Sequence, residues 1–170
     1  MSVRGFDHVA IPIEQVDGML AFYAALGFRV EDHGPRYYSV HFGSDGTGGP
    51  NKINMHAPAL WKSGEFDLRG PTATPGCGDF CFVWDGTVAS IEATLAGLSV
   101  PIVRGPVRLT GAAGEGTSVY IRDPDGNLLE FIVYGEDCAG ARRARGRGVR
   151  RCPARTWPRR STSRGGPRAG

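Results

Sequence analysis

Glu130 is the carboxylate that most needs an explanation in this chain. It lies in Leu128-Leu129-Glu130-Phe131-Ile132-Val133-Tyr134, a β-branched and aromatic run that predicts a strand. Side chains alternate faces along a strand, so Glu130 shares a face with Leu128 and Ile132, where an unpaired carboxylate is costly. Either a cation meets it or that face lines a wet site. The residues that could share such a site are His8 in F-D-H-V-A-I-P-I, Asp79 in D-F-C-F-V-W, and Asn54 and His56 in K-I-N-M-H. Imidazoles and carboxylates of this kind carry protons or pair with cations.

These residues fall on a hidden repeat. Phe6 to Ile13 predicts a strand, and Met19, Phe22, Tyr23 and Leu26 recur at helical spacing, with Asp17 a candidate N-cap and Gly27 placed for the C-terminus. Phe28 to Glu31, Tyr37 to Phe42 and Lys52 to His56 predict three more strands, with the glycine-rich run 43–50 as a hairpin loop. The order β-α-β-β-β then recurs. Asp79 to Trp84 is a strand, and Val88, Ile91, Leu95 and Leu98 mark a helix that ends near Gly97. Ile102 to Val107, Thr117 to Arg122 and Leu128 to Tyr134 follow as strands, the last entered through the turn Asp123-Pro124-Asp125-Gly126. Superposing the copies puts His8 over Asp79 and Asn54 over Glu130, and repeats of this kind decide the fold class. The expected class is α+β: two βαβββ modules, residues 5–57 and 78–135, joined by an ordered connector over 58–77. Each helix covers one sheet face, so the other face is expected to be covered by the twin module, enclosing a cleft. One domain over 1–135 results, with 136–170 as a separate tail.

Charge separates the two parts. Of 20 basic residues, 11 are arginines between Cys138 and Gly170, which leaves 9 basic against 17 acidic residues in the rest, a net of −8. The tail has almost no aliphatic residues, cannot offset chain entropy by burial, and is expected to be disordered. Clustered arginine attracts phosphate, but composition alone gives no specific nucleic-acid partner. The hydrophobic fraction of 41% is that of an ordinary globular protein. No apolar run approaches a membrane span, and no secretory leader pattern precedes the first strand. Cys77, Cys81, Cys138 and Cys152 form no C-x-x-C pair, which fits reduced thiols in the cytoplasm.

The motifs F-D-H-V-A-I-P, A-F-Y-A-A-L-G-F, H-F-G with N-K-I-N-M-H, G-D-F-C-F-V, and D-P-D-G-N-L-L-E-F resemble the vicinal oxygen chelate superfamily. That group includes glyoxalase I, extradiol dioxygenases and bleomycin-resistance proteins. The resemblance covers about Phe6 to Tyr134. N-K-I-N-M-H-A-P with L-R-G-P-T is most similar to an uncharacterised glyoxalase-domain subgroup labelled virulence-associated. It implies a curved mixed sheet around a metal cleft, with a divalent ion (Fe2+, Mn2+, Ni2+ or Zn2+) held by first-strand and last-strand side chains. His8 and Glu130 match two of those places. Asp79 and Asn54 stand where the family often has His and Glu, and His56 is the expected replacement imidazole. The implied set is His8, His56 and Glu130 at the metal, with Asp79 and His56 in catalysis, and Asn54, Arg69 and Trp61 toward substrate. His33 and His41 have no place in the repeat and are expected to be surface or strand-packing residues.

The expected activity is metal-dependent chemistry on a small substrate that chelates through vicinal oxygens, of glyoxalase, lyase or isomerase type. Extradiol cleavage of a catechol is the alternative, and it needs two imidazoles at the metal. A drug-sequestering resistance protein is the non-enzymatic alternative. The resemblance also implies a homodimer, with the modules pairing within a chain or exchanging between chains.

Overall fold

The computed structural model describes residues 2, 3, 5–43 and 51–135, all in the first of two units into which the chain divides, Met1–Glu136. Residues 44–50 of the expected hairpin loop and the arginine-rich tail lie outside the described residues. Eleven elements run in order among them: β1 His8–Pro12, α1 Val16–Ala25, β2 Arg29–Asp32, β3 Tyr37–Phe42, β4 Asn51–His56, α2 Pro58–Trp61, β5 Asp79–Val83, α3 Val88–Gly97, β6 Arg104–Gly111, β7 Gly114–Arg122 and β8 Leu128–Tyr134. This is the expected βαβββ order, twice.

Each module forms a four-stranded mixed sheet, β1-β4-β3-β2 and β5-β8-β7-β6. The pairing register reproduces the sequence repeat. In the first sheet, parallel pairing sets His8 beside Lys52 and Ala10 beside Asn54. In the second it sets Asp79 beside Leu128 and Cys81 beside Glu130. Asn54 and Glu130 therefore occupy the same place in the two sheets, as do His8 and Asp79.

The two modules share one core. Ile11, Met19, Tyr23, Val40, Ile53 and Met55 of the first pack in a single cluster with Phe82, Ile91, Leu95, Val119, Leu129 and Phe131 of the second. Phe82 is the hinge of that contact, with its ring centroid 5.1 Å from both Phe28 and Phe42, edge to face. These are the helix-bearing faces of both sheets. Of the two arrangements expected, modules paired through their open faces within a chain or between chains, the described residues show the helix-bearing faces joined within the chain. The remaining faces, which carry His8 and Glu130, point away from the shared core, and Val83 on one of them is 69% exposed.

Asp123-Pro124-Asp125-Gly126 does more than turn the chain. Asp123 Oδ1 and Oδ2 accept from Asn127 N and Nδ2 at 2.9 and 2.8 Å, and Tyr23 of α1 donates to Oδ2 at 3.1 Å. Asp125 accepts from Glu14 N and Gln15 N, at 2.7 and 3.0 Å. The helix α1 consequently starts on a carboxylate borrowed from the other module. The expected cap, Asp17, sits inside the first turn, and Gln15 holds the N-cap place without a side-chain capping bond, its Nε2 donating instead to Pro124 O. Asn127 Oδ1 accepts from Gly78 N at 2.7 Å, tying in the end of the connector. At Gly76, φ is +82° and a Cβ would lie 2.7 Å from the Asp125 carbonyl oxygen, so only glycine fits there.

The second hairpin also differs from expectation. β6 begins at Arg104 rather than Ile102, runs to Gly111, and turns directly into β7 at Gly114. Its residues are nearly all exposed, and such an edge strand has no apolar alternation to announce it. No helix among the described residues is long and apolar enough to cross a membrane.

Candidate functional site

Glu130 lies on the open face of the second sheet, at the centre of a donor cluster. Ser118 Oγ donates to its Oε1 at 2.5 Å, and the Tyr120 hydroxyl and Cys81 thiol also bond to it. The register explains the grouping, since Tyr120 and Cys81 flank Glu130 across β7 and β5. Burial, followed by the Glu130 carboxylate, pushes both the Cys81 thiol and the Tyr120 hydroxyl up to about 12. Both therefore stay protonated donors at neutral pH. A carboxylate has about four lone-pair sites, so three such donors orient Glu130 and leave one direction for a cation. Asp79, one pleat along β5 from Cys81, is exposed on the same strand.

His8 lies on the open face of the first sheet. Its Nδ1 is 2.6 Å from Asp7 Oδ1, which places the proton on Nδ1 and leaves Nε2 as an acceptor. A carboxylate behind an imidazole in this way is the usual support of a metal-bound histidine. The donor chemistry of His8 and Glu130 thus fits a divalent ion.

One chain does not gather the ligand set. Among the described residues, no three His, Cys, Asp or Glu side chains come together as a metal-holding group. His8 is level with Lys52 whereas His56 is level with Pro12. Four residues of strand separate them, about 13 Å at 3.3 Å per residue. His56 and His8 therefore cannot meet one ion from β4 and β1 of the same sheet.

His56 occupies a different environment, beneath the connector. Its ring is 4.9 Å from that of Phe66 and 6.0 Å from that of Tyr37. Burial and the Arg69 guanidinium hold its pKa below the ordinary value, so the imidazole is neutral. Arg69 lies 5.8 Å from the Trp61 ring centroid and donates to Ala73 O at 3.1 Å. Trp61 itself donates through Nε1 to Ile13 O at 2.9 Å, which pins α2 onto the first sheet. Asn54, one pleat from His56, is buried on the same face, and its Oδ1 has no hydrogen-bond partner among the described residues.

Sequence reasoning set aside His33 and His41, and both belong to this face. His33 Nε2 lies 2.9 Å and His41 Nε2 3.2 Å from Ser39 Oγ. His41 Nε2 is also 2.9 Å from Glu31 Oε2. Hydrogen bonding to Arg29 is the main reason the Glu31 carboxyl titrates below its ordinary value. The period-2 alternation Tyr37, Ser39, His41 along β3 carried the signal, because Ser39 lies directly opposite Asn54. Cys81, Ser118 and Tyr120 were likewise recognisable only once the register was known.

Comparison with known proteins agrees with this architecture. The family model described as "Glyoxalase/Bleomycin resistance protein/Dioxygenase superfamily" matches residues 5–131. The glyoxalase domain-containing protein RDO1 of Mycosarcoma maydis is 37% identical over 134 residues, covering 79% of this chain and 70% of that protein. The virulence protein STM3117 of Salmonella typhimurium is 33% identical over 135 residues, covering 79% and 87%. Its crystal structure superposes with a TM-score of 0.69 at 32% identity, over 79% of this chain and all of that one. An integron cassette protein from the mobile metagenome of V. cholerae gives 0.68 at 31% identity, over 79% and 98%. The two βαβββ modules and the extent of these matches lead to one conclusion: the chain belongs to the glyoxalase/bleomycin resistance protein/dioxygenase superfamily, the vicinal oxygen chelate group.

Proposed function

We propose that the chain is a metal-dependent enzyme of this superfamily, working as a homodimer whose centres are shared between copies. His8 comes from one copy, and Glu130 with its neighbour Asp79 comes from the other. The observation that carries this reading is the orientation of the two open faces. His8 and Glu130 both look away from the core that joins their modules, so a second copy is the natural source of the missing half. A divalent ion (Fe2+, Mn2+, Ni2+ or Zn2+) bound there supplies Lewis-acid stabilisation to neighbouring oxygens of a small substrate.

The chain's own residues prepare that chemistry. Asp7 fixes the His8 tautomer. Ser118, Tyr120 and Cys81 hold Glu130 in one orientation and keep it from swinging toward solvent. Asp79 is an exposed carboxylate beside this cluster, placed to take or return a proton at substrate carbon or oxygen. Proton-transfer chemistry of the lyase or isomerase type is favoured over ring cleavage, because His8 and His56 do not form a two-imidazole set.

Metal analysis of mixed dimers tests the reading. His8→Ala and Glu130→Ala should each purify without metal. Produced together, they should form heterodimers with one intact centre and regain about a quarter of the wild-type metal content. Full metal retention in both single variants would falsify the proposed centre. Metal loss in each without recovery on mixing would place both residues in a centre built by one chain.

A further inference from the structure

We propose that the open face of the first sheet, at the end covered by the connector, binds a small 2-hydroxycarboxylate bearing an apolar or aromatic substituent. Asn54 Oδ1 accepts from the ligand hydroxyl, and the Arg69 guanidinium meets its carboxylate. It lies toward the His56 end of that face, away from the level of His8, so it is a ligand subsite beside the metal centre, and it rests on the reading that the open faces are the ligand-binding faces.

Asn54 is 8% exposed, and its Oδ1 lacks a partner among the described residues. A buried acceptor left unpaired is costly, which makes it a place for a donor from outside the chain. Its cross-strand neighbours do not supply that donor. Ala10, beside it on β1, has none to give. Ser39, opposite on β3, has one hydroxyl proton and already stands between His33 and His41. The geometry therefore calls for an O–H or N–H from a ligand.

The charge at the His56 end of this face, where Arg69 acts on the imidazole, calls for an anion. Arg69 has five N–H donors, and the described residues offer it the Ala73 carbonyl and no carboxylate. Lys52, one pleat from Asn54 on the other side, has among the described residues a long contact to the Tyr37 hydroxyl, at 3.5 Å. His56 adds a neutral ring that can donate or accept. Phe66, Tyr37 and Trp61 bound the same end with aromatic surface. A hydroxyl and a carboxylate on neighbouring carbons, with an apolar group beside them, matches these groups.

Mandelate and phenylacetate differ only by the hydroxyl, which makes them the test pair. Isothermal titration calorimetry of the chelator-treated full chain should show mandelate binding about tenfold more tightly than phenylacetate, the penalty for leaving the buried acceptor unpaired. Asn54→Ala should abolish that preference. Arg69→Gln should weaken both ligands and leave their ratio unchanged. Equal binding of the two acids to the wild-type chain, absence of binding by either, or a preference that survives Asn54→Ala would overturn the proposal. The wild-type ratio decides the matter even if Asn54→Ala does not fold. Because no metal is present, failure here leaves the shared metal centre standing, and failure of the mixed-dimer experiment leaves this subsite standing.

Discussion

Tyr23 and Asp123 are 100 residues apart in sequence, and the tyrosine hydroxyl donates to the buried carboxylate at 3.1 Å. Burial pushes the pKa of both groups up. The pair joins α1 of the first module to the turn before β8 of the second. Tyr23→Phe should cost about 1 kcal/mol, since Asn127 still satisfies Asp123. Asp123→Ala strands the Tyr23 hydroxyl and two Asn127 donors, and should cost on the order of 3 kcal/mol. Urea denaturation with matched m-values checks both, and no loss in Tyr23→Phe would show that the turn acts within its own module only.

Cys81 should resist alkylation. With its thiol pushed up to about 12, iodoacetamide at about pH 8 should modify it on the order of a hundredfold more slowly than an ordinary thiol of pKa about 8.5. Peptide mapping of chelator-treated protein resolves it from the other cysteines. Burial is the larger cause, so Glu130→Gln should speed the reaction only modestly. Cys81 is exposed, so rapid labelling in the wild-type chain would mean that its thiol is not held by the Glu130 carboxylate.

His56 predicts an acid-side loss of stability. Its folded-state pKa lies below the ordinary 6.5, through burial first and Arg69 second. The unfolded chain then binds the proton more readily, so stability is intact above about pH 6.5 and falls as pH drops toward the folded pKa. Thermal melts across that window should fall less steeply in His56→Gln than in wild type, and Arg69→Gln should give an intermediate slope. A wild-type slope unchanged by His56→Gln would remove the imidazole from this account.

The two histidines should separate in metal binding. His8→Ala should lose the ion, while His56→Ala should keep at least most of it, because four residues of strand lie between them. Elemental analysis of the two variants side by side decides this. Equal loss in both would return His56 to the ligand set.

The repeat, the sheet order and the equivalence of Asn54 with Glu130 were legible because strand alternation is local and survives in the residue pattern. Which face of each sheet would be shared was not. Leu128 and Ile132 are as apolar as Leu129 and Phe131, so alternation alone does not choose the core side. The choice depends on contacts such as Phe82 with Phe28 and Phe42, which join distant segments. The same applies to Asp125, whose partners Glu14 and Gln15 lie in the other module. For His56 the face was legible in the sequence, whereas its level along the strand, four residues from that of His8, was not.

The matching register of the two sheets gives this protein paired positions that began alike and can be used differently. Asn54 and Glu130 stand at one such pair: a neutral acceptor in one half, a carboxylate ringed by donors in the other. His8 and Asp79 stand at another. A doubled scaffold can therefore divide its labour, leaving one sheet to recognise a ligand while the other supplies charge, without any change in backbone. In a two-copy assembly, each groove would face one half of each kind, so an asymmetric site would arise from a symmetric pair of chains.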